Sequence, residues 1–114
     1  MDRAMSRCVR LYSGTDGQSH VEELEWPVGE KRPVRLVHIE ESPPGSALDW
    51  HVAPCEQYVV TLLGRLEFTT RDGETFILAP GDVLLADDTT GSGHRWRLID
   101  ASPWRRMYVE FVRS

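Results

Sequence analysis

Gly45-Ser46-Ala47-Leu48-Asp49-Trp50-His51-Val52-Ala53-Pro54-Cys55-Glu56-Gln57-Tyr58-Val59-Val60-Thr61-Leu62-Leu63-Gly64 is the stretch that decides how this chain folds. Within it His51 and Gln57 stand at fixed distances from two glycines, in the pattern Gly45-x5-His51-x-Ala53-x3-Gln57-x6-Gly64. A second run has a related arrangement: Gly81-Asp82, a short apolar stretch, then Gly91-x2-His94. Glycines at such intervals mark bends between short strands. The spacing predicts that different strands deliver His51, Gln57 and His94 to one small cavity, the geometry that a metal or polar-ligand site needs.

Residues two apart on a strand face the same side. His51, Ala53, Gln57, Val59 and Thr61 share a parity, although Pro54-Cys55 interrupts the run, and His94, Trp96 and Leu98 share a face opposite to Arg95 and Arg97. Upstream, Val34, Leu36 and His38 alternate with Val37 and Ile39, which predicts a strand covered on both faces. The loop Ser42-Pro43-Pro44-Gly45-Ser46 ends it, since proline donates no ladder hydrogen bond. Downstream, residues 57–70 read as a hairpin or one long strand bent at Gly64. Asp72-Gly73 reads as a tight turn, and strands are expected at 75–78, 83–86, 95–99 and 106–112. Many short strands without a long helix indicate an all-β barrel or jelly roll. Residues 1–26 are polar and irregular, with 21–26 too acidic to assign to an element. Residues 1–32 are therefore read as an arm packing on the barrel or on a partner, and 33–114 as the barrel.

The 114 residues include 13 Lys and Arg against 18 Asp and Glu, a net charge of -5. That charge argues against the phosphate-neutralising surface needed to bind nucleic acid. A chain of this length buries roughly 60 to 70% of its unfolded surface, so the core requires no disulfide or structural metal. No apolar run approaches the length of a membrane-spanning helix, so no membrane partner is expected. Cys8 and Cys55 do not make a staple framework, and no signal-like segment opens the chain; a reduced, cytoplasmic setting is expected.

Together the two runs resemble the two motifs of the cupin superfamily, over roughly residues 34 to 112. In that family the first motif reads glycine, five residues, His-x-His, three or four residues, glutamate, six residues, glycine. The second ends in glycine, two residues and histidine. Every first-motif spacing is kept here, but Ala53 replaces the second histidine and Gln57 the glutamate. In the second motif the proline expected near Asp87 and the asparagine that would fall at Leu98 are absent, and the loop 87–93 is two residues longer than usual. The resemblance implies a single cupin β-barrel, the double-stranded β-helix or jelly roll, with a divalent ion (Mn, Fe, Ni or Zn) held by His51, Gln57 and His94. Small barrels of this family commonly pair. The apolar Val9, Leu11, Tyr12, Leu24 and Trp26 of the arm are expected to join a sheet edge or cross to a second copy, giving a homodimer.

Without an imidazole at Ala53, two nitrogens and a neutral oxygen make a weak facial metal site, and a further donor would have to come from His38 or a loop carboxylate. An ion there keeps its double charge. At an effective dielectric near 20, each unit pair at ~4 Å is worth ~4 kcal/mol, so an anionic ligand would be preferred. Without an ion, His51 and His94 are the candidate catalytic acid and base, since neutral imidazole titrates near pH 7. Trp50, Asp88 and Trp96 are candidate pocket residues. Ordinary structural readings stand beside these. Gln57 pairs equally well with backbone, and His38 is read as structural, His20 as surface and Cys55 as a small apolar filler. Tyr58 and Trp104 are read as packing residues, and Trp104-Arg105-Arg106 as a solvated turn. The function expected is an enzyme acting on a small polar or anionic metabolite, of isomerase, lyase or cyclase type rather than a dioxygenase. The alternative is a non-catalytic ligand-binding or structural dimer without metal.

Overall fold

The computed structural model describes residues 6–113. Ten strands run in chain order: β1 (Cys8–Ser13), β2 (Ser19–Leu24), β3 (Val34–Ser42), β4 (Ala47–His51), β5 (Gln57–Leu63), β6 (Leu66–Thr70), β7 (Thr75–Leu78), β8 (Val83–Asp87), β9 (His94–Leu98) and β10 (Trp104–Phe111). They form a six-stranded sheet, β2-β1-β8-β5-β10-β3, and a four-stranded sheet, β4-β9-β6-β7. Among the described residues there is no helix, and none long and apolar enough to cross a membrane. The fold is all-β, a double-stranded β-helix.

Apolar side chains of alternating parity fill the space between the sheets. Val59 from β5, Leu66 and Phe68 from β6, Leu78 from β7, Leu84 from β8, Trp96 and Leu98 from β9 and Trp104 from β10 form one buried cluster. Phe68 stacks on Phe76 at 5.0 Å and meets Trp104 edge-on at 6.4 Å, tying β6 to β7 and β10. Burying such rings stabilises the barrel by roughly 1.5–3 kcal/mol per side chain.

Four expectations need correction. Residues 57–70 are not a hairpin: β5 and β6 lie in different sheets, and the chain passes between them at Gly64, whose φ is 98°. A Cβ there would lie 2.7 Å from the Pro103 carbonyl oxygen. The arm is not irregular. β1 pairs in parallel with β8, β2 pairs antiparallel with β1, and Val9 and Leu11 are buried in the core. Acidic residues on β2 escaped a strand assignment because they ion-pair outward, Glu22 with Arg10 and Glu23 with Arg7. The first five residues of the arm lie outside the described ones.

The third correction concerns β3, which is not covered on both faces. It is the edge of the larger sheet, and Val34, Leu36, Val37 and Ile39 are 43, 43, 52 and 60% exposed. Fourth, Trp104-Arg105-Arg106 is no solvated turn: it begins β10, and only Arg105 points outward while Trp104 and Arg106 are buried.

The crossing at Gly64 makes a specific demand. Gly64→Ala combines a left-handed backbone with a carbonyl contact too close to relax, so we expect a loss of about 2 kcal/mol. Urea unfolding checks this; an unchanged midpoint would show that the crossing tolerates a side chain.

Candidate functional site

A cavity of about 250 Å³ opens between the sheets, with His38, His51, Gln57, His94, Trp96, Arg106, Tyr108 and Glu110 on its walls among apolar side chains. This volume lies below the ~300 to 1,000 Å³ of drug-sized sites, so the ligand it suits is a small metabolite.

His51 ends β4 and His94 begins β9, and the two are directly opposed across that antiparallel pair. Their ring centroids are 4.4 Å apart. Gly93, at φ 76°, makes this possible, because a Cβ on it would lie 2.2 Å from the His51 carbonyl oxygen. The glycine before His94 thus lets the two chain segments close up.

Each ring is anchored through Nδ1. His94 Nδ1 lies 2.6 Å from Asp88 Oδ2, and His51 Nδ1 lies 2.7 Å from the Asp49 carbonyl oxygen. A carbonyl can only accept, so His51 donates from Nδ1 to Asp49, while His94 sets its Nδ1 against the Asp88 carboxylate; in both rings Nε2 is the nitrogen left without a protein partner among the described residues. Asp88 is fully buried; its Oδ2 also accepts a hydrogen bond from Ser19 Oγ of β2 at 2.7 Å, while Oδ1 has no partner among the described residues. Asp88 therefore stands behind His94 rather than at the pocket mouth. Burial lowers the His51 pKa below the ordinary histidine value, and the nearby His94 adds to this. The Asp49 carbonyl and the charge of Asp88 oppose the shift without cancelling it.

Gln57 reaches the cavity from β5, buried beside Glu110 of β10, its direct cross-strand neighbour. Glu110 is a carboxylate that sequence reasoning missed. Its oxygens bond the Arg35 guanidinium and lie 3.3 Å from His38 Nε2. Desolvation pushes the Glu110 pKa up, but Arg35, Cys55 and His38 outweigh it, so the carboxyl titrates below its usual range. His38 also stacks on Tyr108 at 4.9 Å, so its place in the wall serves a polar cluster opposite the histidine pair. Trp96 lines the cavity. Trp50 does not: its ring lies between the guanidinium groups of Arg71 and Arg95, at 4.1 and 4.9 Å, on the outer side.

For a resident divalent ion this donor set is poor. Ala53 is buried on the cavity wall and puts a methyl where a second imidazole would be needed. The only His, Cys, Asp or Glu trio with ligand atoms within 4.8 Å of one another among the described residues is His20, Asp72 and Glu74, outside the cavity. Two imidazoles and an amide oxygen, with no carboxylate grouped with both rings within 4.8 Å among the described residues, do not fit a tightly held ion.

No protein-family model and no curated protein matches the chain. Solved structures do. A DUF861-family protein from Thermotoga maritima is 28% identical, with 65% of this chain and 77% of that one covered and a TM-score of 0.54. A cupin domain from Bordetella pertussis Tohama I is 23% identical, with 75% and 100% covered and a TM-score of 0.54. A sugar phosphate isomerase of the cupin superfamily from Silicibacter pomeroyi is 19% identical, with 86% and 61% covered and a TM-score of 0.53.

His51 should titrate differently from His20. His20, hydrogen-bonded to Asp16, is shifted up and His51 down. In metal-free protein we expect the His51 imidazole resonances to move at a pH below about 6.5 and those of His20 above it. Because the folded His51 value is depressed, the stability it contributes is present above about pH 6.5 and is lost as pH falls through the folded value. The reverse order of the two midpoints would contradict the burial of His51.

Proposed function

The fold is the one seen in cupin-domain structures, and on that premise we propose that the chain is a small cupin enzyme moving a proton on a small polar or anionic metabolite, with His94 as base. The observation that carries this reading is the Asp88–His94 hydrogen bond at 2.6 Å, inside a cavity that His51 shares. Asp88 fixes the tautomer and compensates the charge that arises when Nε2 takes a proton, as the carboxylate of a hydrolase triad does. His51, kept neutral by burial, accepts a hydrogen bond from a ligand hydroxyl and so orients it. Proton removal beside a carbonyl, followed by return at the same or a neighbouring atom, is the isomerase-type chemistry these groups support. Because the donors fit a resident ion poorly, the side chains themselves carry the proton in this reading. The two cysteines are free thiols, which suits the reducing cytoplasm we propose as its compartment.

Solvent exchange tests the reading across a whole class of candidate substrates at once. Small hydroxy- and keto-acids and their phosphate esters, incubated with the protein in deuterium oxide, should include one whose C–H exchanges under catalysis. His94→Gln should slow that exchange by about a hundredfold or more, the usual worth of a general base. If no compound exchanges faster than in buffer while one of them binds, the chain is a ligand-binding cupin rather than an enzyme.

We also propose that a second copy covers β3. The unpaired edge carries apolar residues on both faces, which a nine-residue exposed strand does not retain without a partner. Two copies of β3 pairing antiparallel about His38 place Arg35 opposite Glu41 and Val37 opposite Ile39, complementary in charge and in apolar contact. Light scattering should give a dimer for the natural chain and a monomer for Ile39→Lys with unchanged circular dichroism. A natural chain that is monomeric throughout would rule this edge out.

A further inference from the structure

Resting on the acid–base reading of the cavity, we propose that Arg106 is the oxyanion-binding group, so that the ligand carries a carboxylate or phosphate held at the end of the cavity away from the histidines. Arg106 lies on β10, lines the cavity and is only 8% exposed. Its Nε donates to Tyr108 Oη at 3.1 Å, and its Nη1 donates to Ser42 Oγ at 2.9 Å and to the Trp104 carbonyl at 3.1 Å. Those bonds occupy three of the five N–H groups. The two on Nη2 have no partner among the described residues, and that atom is not sealed off as Asp88 Oδ1 is.

The charge is also uncompensated. No carboxylate lies within 4.0 Å of the guanidinium among the described residues. The carboxylate on the same wall, Glu110, is already engaged by Arg35 and His38, and Asp88 is taken up by His94. Stacking over the Trp104 ring at 4.0 Å offsets part of the cost of burial. A guanidinium cannot relieve the rest by losing its proton. A nearly buried, unpaired cation with two free donors on a cavity wall is a site for an anion, and a planar fork suits carboxylate and phosphate alike.

Its position separates binding from chemistry. A chain of ring contacts joins His94 to Arg106: Phe68 lies 5.8 Å from His94, Trp104 lies 6.4 Å from Phe68, and the Arg106 guanidinium sits 4.0 Å over Trp104. A ligand anchored at Arg106 therefore lays its body along this aromatic floor and brings its far end to the Nε2 atoms. Tyr108 and Ser42 hold the guanidinium in place without neutralising it.

The test follows the Arg106 Nε–H and Trp104 indole N–H resonances of the natural chain during titration with inorganic phosphate, acetate or neutral acetamide, against chloride at matched ionic strength. We expect saturable shifts with an oxyanion and none with acetamide. A response to phosphate alone assigns a phosphorylated ligand, and a response to acetate assigns a carboxylate. Arg106→Gln should weaken binding about tenfold or more, the worth of a charge-assisted hydrogen bond. Arg106→Lys keeps the charge without the fork and should retain part of the affinity. His94→Gln should leave anion binding unchanged. Silence of both resonances with both anions, or equal affinity in a folded Arg106→Gln protein, overturns the proposal. Anion binding without any proton exchange would sink the acid–base reading alone, whereas exchange with a silent Arg106 would sink this one alone.

Discussion

The hydrogen bond from His94 to Asp88 is the contact on which the interior of this barrel depends. A fully buried carboxylate is costly unless it is paired, and here it is paired to the one ring whose orientation matters most. Ser19 adds a second donor to the same oxygen, so a strand of the arm takes part in holding the site. The Asp88 backbone carbonyl also accepts from Ala53 N, joining the loop before His94 to the segment that follows His51. The orientation of the His94 ring and the local path of the chain thus share one anchor.

Around that anchor the cavity keeps its charges apart. Asp88 serves His94, and Glu110 serves Arg35 and His38. Arg106 alone has hydrogen bonds but no counter-charge among the described residues. Low dielectric inside a barrel magnifies each of these relations. Ala53 puts a methyl on the cavity wall where an imidazole would build a metal site. The fold itself carries many chemistries and cannot choose among them; these side chains can.

The edge strand β3 links the site to assembly. It supplies His38 to the cavity wall on one face and an apolar, unpartnered surface on the other. Its connection to β4 runs through Pro43-Pro44-Gly45, so the outer strands of both sheets meet at this corner. Any partner settled on β3 therefore lies close to the wall that carries His38.

What the sequence determined by itself was the alternation along most strands and the spacing of the motif residues. Side-chain alternation put Gln57, Val59 and Thr61 on one face and set Arg95 and Arg97 opposite His94, because a strand has a period of two; the resemblance to cupins implied that the first face points inward. Motif spacing pointed His51 and His94 to one cavity, whereas the close approach of Gly93 to His51 that closes the pair up lay outside both motifs. The strands from β5 to β10 were legible from the alternation. Only the tertiary structure decided which strands are neighbours, and with it what each face meets. That β3 is an edge, that β1 runs parallel to β8, and that Glu110 stands across from Gln57 are facts of pairing between segments far apart in sequence. Arg106 shows the boundary most clearly: its parity with Trp104, Tyr108 and Glu110 was present in the sequence, but a charged residue reads as solvated until the walls that bury it are known.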